Sequence, residues 1–398
     1  VRNVTSHSES NLGPPIHRPT GVYTAVVARH LGIVHVLEKN RLTTGSVVQM
    51  LEAATGLAAR GHRVTVASRP GGDLEDACTT AGVRFLPLPL RHEVHLASAR
   101  ALRRHLRADG ADLVHVHKGR AHGVALLAAA GLGRRPVVVV NRGVSFPLDR
   151  FNRWKYRHPR VGTVVCVAEA VRQMVLRSGG LRPERVVTLH AGTDTARFDP
   201  DRVDPTAVRA ELGMGRDHLL LAQVSVRDWK GWRELLQAFA RLAPRHPDAR
   251  LLLVGCEPQA EKDKVLAAAR ELGLAGAVLT LAFRHDMPEV LAACDVVADA
   301  SWTGTGITGT VREGMAMARA VVASDCAGNR ELVTDGTTGL LAPPRDVDAL
   351  AVALDRLAAD PELRRRLGRA ARSRVVAEFS TTVRLDRLEA LYRRLLRE

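Results

Sequence analysis

The chain has 398 residues, of which 46% are hydrophobic and only 4% aromatic, and it carries a formal net charge of +16. That length exceeds what a single hydrophobic core usually serves, so two domains are expected, and the apolar content excludes a disordered chain away from its ends. The charge is uneven: residues 1–200 hold 29 Lys and Arg against 14 Asp and Glu, and the remainder 29 against 28. The first half therefore faces something anionic, whether a lipid surface, a phosphorylated acceptor or nucleic acid.

Residues 1–30 are rich in Ser, Asn, Pro and His and show no apolar period, which predicts a flexible extension. The segment VYTAVVARHLGIVHVL is broken by Arg29 and His30, so neither a spanning helix nor a signal peptide is read there. From Leu31 strand-like and helix-like segments alternate. LGIVHVLE is followed by a helix from about Ser46, whose apolar face is expected at Val47, Leu51, Ala54 and Ala58 with a stop at Gly61. Then come RVTVAS, VRFLPLPL, DLVHVH, PVVVVN, TVVCVA and RVVTLHAG, a βα repeat that builds a parallel sheet.

The polar stretch DPDRVDPT (199–206) reads as a linker between two domains. The pattern then resumes with HLLLAQVSV, ARLLLVG, AVLTLAF, CDVVADAS, RAVVASD and GLLAPP. From Asp346 onward the chain reads as almost wholly helical, with a core stripe of Leu385, Leu388, Leu391 and Leu395. The five cysteines, Cys78, Cys166, Cys256, Cys294 and Cys326, lie far apart, which reads as buried thiols in a reducing compartment. No pair of cysteines stands at metal-ligand or redox-motif spacing, and a tightly bound metal is not indicated.

Gly304, Gly306 and Gly309 stand in G-x-G-x-x-G spacing between a strand and a helix expected from about Thr310. With Asp325 ending the next strand, the loop can be read as a dinucleotide fingerprint, which makes an NAD(P)-dependent oxidoreductase one alternative. Against it, only one further strand follows Asp325. The glycines serve equally well to bring backbone amides and a helix N-terminus to the diphosphate of a sugar nucleotide. The chain contains no GxSxG, HExxH or P-loop, so hydrolase, metalloprotease and P-loop NTPase readings lack their parts.

Several stretches together resemble the retaining GT-B glycosyltransferases of glycosyltransferase family 4, from about Leu31 to the C-terminus. TVREGMAMARAVVASDCAGNRELVTDGTTGLLAPP (310–344) is similar to that family's donor-site helix, strand and Gly-rich return. The resemblance implies that Glu313 holds the ribose hydroxyls and that amides around Gly306, Ile307, Thr308, Gly309 and Thr310 face the diphosphate. Where the family has its first glutamate, at the donor sugar, this chain has Thr305. VSVRDWKGWRELLQAF resembles the basic phosphate motif, which assigns Lys230 and Arg227 to the leaving diphosphate. TTGSVVQMLEAATGLAARGHRVTV matches the opening loop at Gly45, and DLVHVHKGRAHG the strand-end histidine at His117, which would reach the donor sugar. HAGTDTARFDP resembles the segment joining the domains, and Phe283 and Arg284 are candidates for contact with the base.

What the resemblance implies is an α/β protein of GT-B architecture, with two Rossmann-like parallel-sheet domains facing a cleft. The expected parts are an acceptor-side domain at 31–200, a donor-side domain at 201–380 and a helix at 381–398 returning to the first domain. The implied reaction moves a sugar from a UDP-, GDP- or ADP-linked donor to a hydroxyl acceptor with retention, without a tightly bound cofactor. The acceptor is expected to be lipid-linked or an envelope glycan precursor, and the protein cytoplasmic or peripheral on the inner membrane face. NRGVSFPLDRFNRWKYRHPR (141–160), with six Arg/Lys and four aromatics, fits an anionic membrane surface or an ordinary surface loop, with Arg142 facing the cleft. No nucleic-acid module accompanies it. A catalytically silent nucleotide-binding protein is the remaining alternative.

Overall fold

A computed structural model describes residues 29–133, 136–215, 217–303, 306–326 and 328–397, apart from the Phe151 side chain. The bulk of the expected N-terminal extension, together with Gly304 and Thr305, lies outside the described residues. Leu31–Glu398 is one compact unit, and it contains both sheets.

Seven strands, β1 (Gly32–Leu37), β2 (Arg63–Ser68), β3 (Arg84–Pro87), β4 (Leu113–Val116), β5 (Val137–Arg142), β6 (Val161–Cys166) and β7 (Val186–Thr188), form the first sheet. Its order is β3-β2-β1-β4-β5-β6-β7 and every pairing is parallel. The second sheet takes β8 (Leu219–Val224), β9 (Ala249–Val254), β10 (Val278–Leu281), β11 (Val296–Asp299), β12 (Ala320–Ser324) and β13 (Leu340–Ala342), in the order β10-β9-β8-β11-β12-β13, again all parallel. Two Rossmann-like domains result, as the alternating pattern requires. β1, β4 and β11 are buried along their whole length, which explains their nearly unbroken Val, Ile and Leu content: helices cover both faces of such a sheet.

Strand order reverses between β1 and β4 in the first sheet and between β8 and β11 in the second. Ligands of open parallel sheets bind outside the carboxyl ends of the strands at such a reversal. The loops that carry Gly45, His117, Lys230 and Gly306 all leave from those four strand ends.

The first helix runs Gly45–Ala59, and its buried residues are Val47, Met50, Ala53, Ala54 and Leu57, with Leu51 and Ala58 only partly buried. The stripe is rotated from the expected one because this helix is covered on a second side. Helix Thr381–Leu396 packs there with Leu385, Leu388, Leu391 and Tyr392, and a Cβ on Gly56 would stand 2.4 Å from Leu385. The C-terminal helix thus completes the core of the first domain.

Two crossings join the domains side by side: Thr193 N donates to Phe379 O (2.9 Å) and Thr381 N to Thr193 O (2.9 Å). Nearby, Glu331 accepts hydrogen bonds from Glu169 N (2.7 Å) and Ala170 N (3.0 Å), so a carboxylate of the second domain caps helix Glu169–Gly179 of the first. Its Oε2 also lies 2.9 Å from His190 Nε2.

Candidate active site

On the first-domain side, β1 and β4 are paired so that His35 lies beside His115, and His117 follows one residue beyond β4. His35 Nδ1 and His117 Nε2 are 3.0 Å apart, His115 stacks on His117 at 4.5 Å between ring centroids, and His115 Nδ1 lies 2.6 Å from Tyr392 OH. Burial holds all three imidazoles well below their ordinary pKa, His35 at about 3, with the Arg384 guanidinium adding to the effect. His117 is therefore a neutral ring whose nitrogens can donate or accept. The fold groups these three side chains so that one nitrogen from each lies within 4.8 Å of the others, a set of donors that could hold a metal ion. Sequence spacing could not reveal this, because His35 sits on a different strand.

On the second-domain side, Asp299 ends β11 and is buried. Its carboxylate accepts from Ser301 Oγ (2.6 Å), Thr308 Oγ1 (3.2 Å) and Asn329 Nδ2 (2.9 Å), with Lys230 Nζ at 3.5 Å. Lys230 is aimed there by the turn after β8. Gly231 has φ 68°, and a Cβ on it would lie 2.0 Å from Ala300 O, so only glycine fits. Gln223 clamps the same loops, donating to Lys230 O (3.1 Å) and accepting from Ala300 N (3.1 Å). Arg227 is exposed at the start of this turn.

Helix Gly309–Ala316 follows, and Thr308 at its N-cap gives its hydroxyl to Asp299 rather than to the helix. The first amides of the helix are left without a side-chain cap, which is the condition for binding an anion. Glu313 sits one turn in, half-buried, and its carboxylate accepts no hydrogen bond from the described residues. Burial raises its pKa, while Arg312 and Arg197 pull it back. Such a carboxylate, with its acceptors open, suits two neighbouring hydroxyls.

A cavity of about 180 Å³ lies between the two sides, lined by Gly45, His115, His117, Ile307 and Gly309 among others. The domains close on each other beside it, where a Cβ on Gly306 would stand 2.6 Å from Val167 and 3.3 Å from Gly143 O. A second pocket of about 290 Å³ shares His117, Asn141 and Gly143 and extends to Glu38, Lys118 and Arg142. Arg142 donates to Phe146 O (2.6 Å), which anchors the loop after β5.

Several expected site residues stand apart from these cavities. Phe283 is exposed and packs edge-on to His285, and the Arg284 guanidinium is occupied by Asp286 and Glu211. Thr305 lies outside the described residues. Asp325, the acid that a dinucleotide reading needs at a ribose, is paired with Arg330. Conversely, Gln49, Asn141, Arg312 and Arg384 line the first cavity without having been singled out. An arginine inside the apolar run TVREGMAMA was the available signal for Arg312, since a charge on a buried helix face needs a reason.

Comparison with known proteins bears on this geometry. A family model described as Glycosyltransferase Family 4 matches residues 43–197, and one described as Glycosyl transferases group 1 matches residues 216–360. The chain is 34% identical over 248 residues to an alpha-maltose-1-phosphate synthase of Mycolicibacterium smegmatis, a stretch covering 58% of this chain and 63% of that protein. It is 27% identical over 319 residues to an alpha-D-kanosaminyltransferase of Streptomyces kanamyceticus, covering 77% and 81%. HepE of Anabaena, solved in complex with UDP, superposes with a TM-score of 0.78 at 20% identity, covering 91% of this chain and 99% of that one, a likeness of fold. No helix among the described residues is long and apolar enough to cross a membrane.

Proposed function

Because the chain belongs to the group 1, family 4 glycosyltransferases, we propose that it moves a sugar from a nucleotide-sugar donor to a hydroxyl acceptor with retention of configuration. The observation that carries this reading is the cavity at which the loops after β1, β4 and β11 meet. Gly45 and a neutral His117 line it from the first domain and the uncapped helix Gly309–Ala316 from the second, with the Lys230 ammonium on Asp299 and the open Glu313 carboxylate on the second-domain side, outside that lining.

In this reading Glu313 accepts the ribose hydroxyls, and the amides from Ile307 to Thr310 and the first turn at Gly45 approach the diphosphate. His117 orients the donor sugar. As the bond from the anomeric carbon to the diphosphate breaks, the leaving oxygen gains charge, which Lys230 and Arg227 oppose. The acceptor oxygen bonds to the anomeric carbon, and its proton passes to the leaving phosphate. UDP is the first donor base to try, since HepE was solved with it.

The acceptor side belongs to the basic first domain and the pocket at Arg142. Helix Arg150–Arg157 carries Arg150, Arg153 and Arg157, while Lys155 is buried against Glu93, and Trp154 and Phe146 are 59% and 54% exposed, a pattern suited to an anionic lipid surface and a lipid-linked acceptor. Residence at the inner face of the membrane follows from that reading.

Thermal shifts against UDP, GDP, ADP and NAD(H), repeated with Glu313→Ala and Lys230→Ala, test the proposal. One nucleoside diphosphate should raise the melting temperature of the wild type, and both variants should lose the effect. A response to NAD(H) alone would overturn the sugar-transfer reading. Binding without turnover across a broad acceptor set would leave a silent nucleotide-binding protein.

A further inference from the structure

His35 interrupts the apolar run GIVHVL of β1, where it is wholly buried and burial pushes its pKa down to about 3. A polar ring inside a buried parallel strand costs stability that Leu or Val in its place would not, so its presence needs a reason. Its side chain makes one hydrogen bond among the described residues, and that bond runs to the site: Nδ1 lies 3.0 Å from His117 Nε2. The other nitrogen, His35 Nε2, is buried with no partner among the described residues.

Two neutral imidazoles can share that contact in two ways. If His117 donates from Nε2, the proton of His35 must sit on its own Nε2, which leaves a buried N–H with nothing to bond. If His35 donates from Nδ1, the unpartnered Nε2 keeps only a lone pair. An orphaned buried donor is rarer in folded proteins than an under-satisfied acceptor, which selects the second arrangement. The Nε2 of His117 then carries no proton, so its ring is protonated on Nδ1. That nitrogen makes no hydrogen bond to a described residue, and His117 lines both cavities of the cleft.

The ring is also held face-on. His115 stacks on it at 4.5 Å between centroids with the planes 24° apart, and His115 Nδ1 lies 2.6 Å from the Tyr392 hydroxyl of helix Thr381–Leu396. The same stacking decides between a hydrogen-bonded pair and a metal cage. An ion bound by an imidazole lies in the plane of the ring, in line with the nitrogen lone pair. Stacked, nearly parallel rings have no such point in common, so holding an ion would require turning one ring, whereas the contact between His35 and His117 is already made.

We propose that His35 is a positioning residue for the transfer: its Nδ1–H donates to His117 Nε2, which locks the His117 ring and fixes it as an Nδ1–H donor toward the transferred sugar. The clause about the sugar rests on the sugar-transfer reading, while the hydrogen bond and the tautomer stand without it. A donor aimed in advance meets an accepting oxygen of the sugar with no reordering of the ring in each turnover.

Nitrogen-15 NMR of the free protein at pH 7 reads the tautomer, because long-range correlations from the ring protons distinguish a protonated ring nitrogen from a bare one. His117→Asn identifies the His117 signals by their loss. A protonated Nδ1 and a bare Nε2 are expected on His117. A protonated Nε2 would overturn the proposal, whether or not the protein transfers a sugar.

His35→Leu removes the bond and continues the strand with an apolar side chain, so it should keep the melting temperature of the wild type. It should lower kcat by about five- to tenfold, the worth of one hydrogen bond. KM for the donor should hardly change, because the base and diphosphate supply most of the donor's affinity. The thermal response to the nucleoside diphosphate should match the wild type, since that ligand has no sugar for His117 to meet. His35→Gln, whose amide can donate to His117 Nε2, should recover most of kcat. Equal losses of kcat in the two variants, or losses that follow their melting temperatures, would leave His35 a packing role alone and overturn the proposal. Zinc that binds the wild type at one site and fails to bind His35→Leu would give these nitrogens to a metal and likewise overturn it. If neither wild type nor variants transfer a sugar, the sugar-transfer reading fails and the NMR result still decides the tautomer.

Discussion

Replacing His122 with leucine should remove a measurable part of this protein's acid sensitivity. His122 is buried in helix Gly119–Ala129, edge-on to Tyr156 at 5.1 Å, and burial with the Lys155 ammonium nearby lowers its pKa to about 3. In the unfolded chain it titrates at about 6.5. Between those values the unfolded state binds a proton that the folded state refuses, so stability falls as pH drops from about 6.5 toward 3. At pH 5 the gap is about 1.5 pH units, and at 1.36 kcal/mol per unit that is about 2 kcal/mol lost for this one residue. His35 contributes a similar loss, while Glu52, raised to about 7, regains stability over the same range as it takes up its proton. The whole-protein curve mixes these opposed contributions, so the quantity to measure is the difference between variant and wild type. Urea denaturation at pH 7 and pH 5 should show the wild type losing about 2 kcal/mol more than His122→Leu on acidification. Whatever packing His122→Leu changes against Tyr156 cancels between the two pH values. Parallel losses in the two proteins would refute the claim that His122 is held neutral by burial.

Lys230→Met should lower kcat by about 10²- to 10³-fold, the effect of removing a charge aimed at a developing anion. Its cost to stability should stay near 1 kcal/mol, because Asp299 keeps its bonds from Ser301, Thr308 and Asn329. Gly231→Ala adds a Cβ 2.0 Å from Ala300 O at φ 68°, and denaturation should show a loss on the order of 3 kcal/mol or more together with weakened nucleotide binding. Glu331→Gln should cost about 1–2 kcal/mol at pH 7 by weakening the cap on helix Glu169–Gly179. Because bonding holds the Glu331 carboxyl below its ordinary range, that difference should vanish as pH falls below about 4.5. Tyr392→Phe strips the partner from His115 Nδ1 and should cost about 1–2 kcal/mol, read by denaturation at pH 7.

The architecture was legible along the chain because it is written in local patterns. Runs such as GIVHVL, VVVVN and RLLLV announce strands with buried centres, and the glycines and polar turns between them mark where each strand and helix stops. All thirteen strands among the described residues lie within or overlap segments that the pattern singled out, and so does the helix stripe at Leu385, Leu388 and Leu391. The stripe on the first helix was misplaced because its second covering partner, helix Thr381–Leu396, comes from the far end of the chain.

The site was legible only where a motif is contiguous. Lys230 beside Gly231, and Glu313 one turn into its helix, stand in contiguous stretches that resemble the family's motifs, and the resemblance singled them out. The tertiary structure alone decided the rest. It set His35 beside His115 across β1 and β4, tied Lys230 to Asp299, and brought Arg384 to Gln49 across 335 residues of chain. Such contacts have no local periodicity to betray them, since they arise when two sheets and a returning helix close on one another and trap charge in a space that water would otherwise fill. Burial, which is a property of the assembled fold, then decides which of those groups keep their charge.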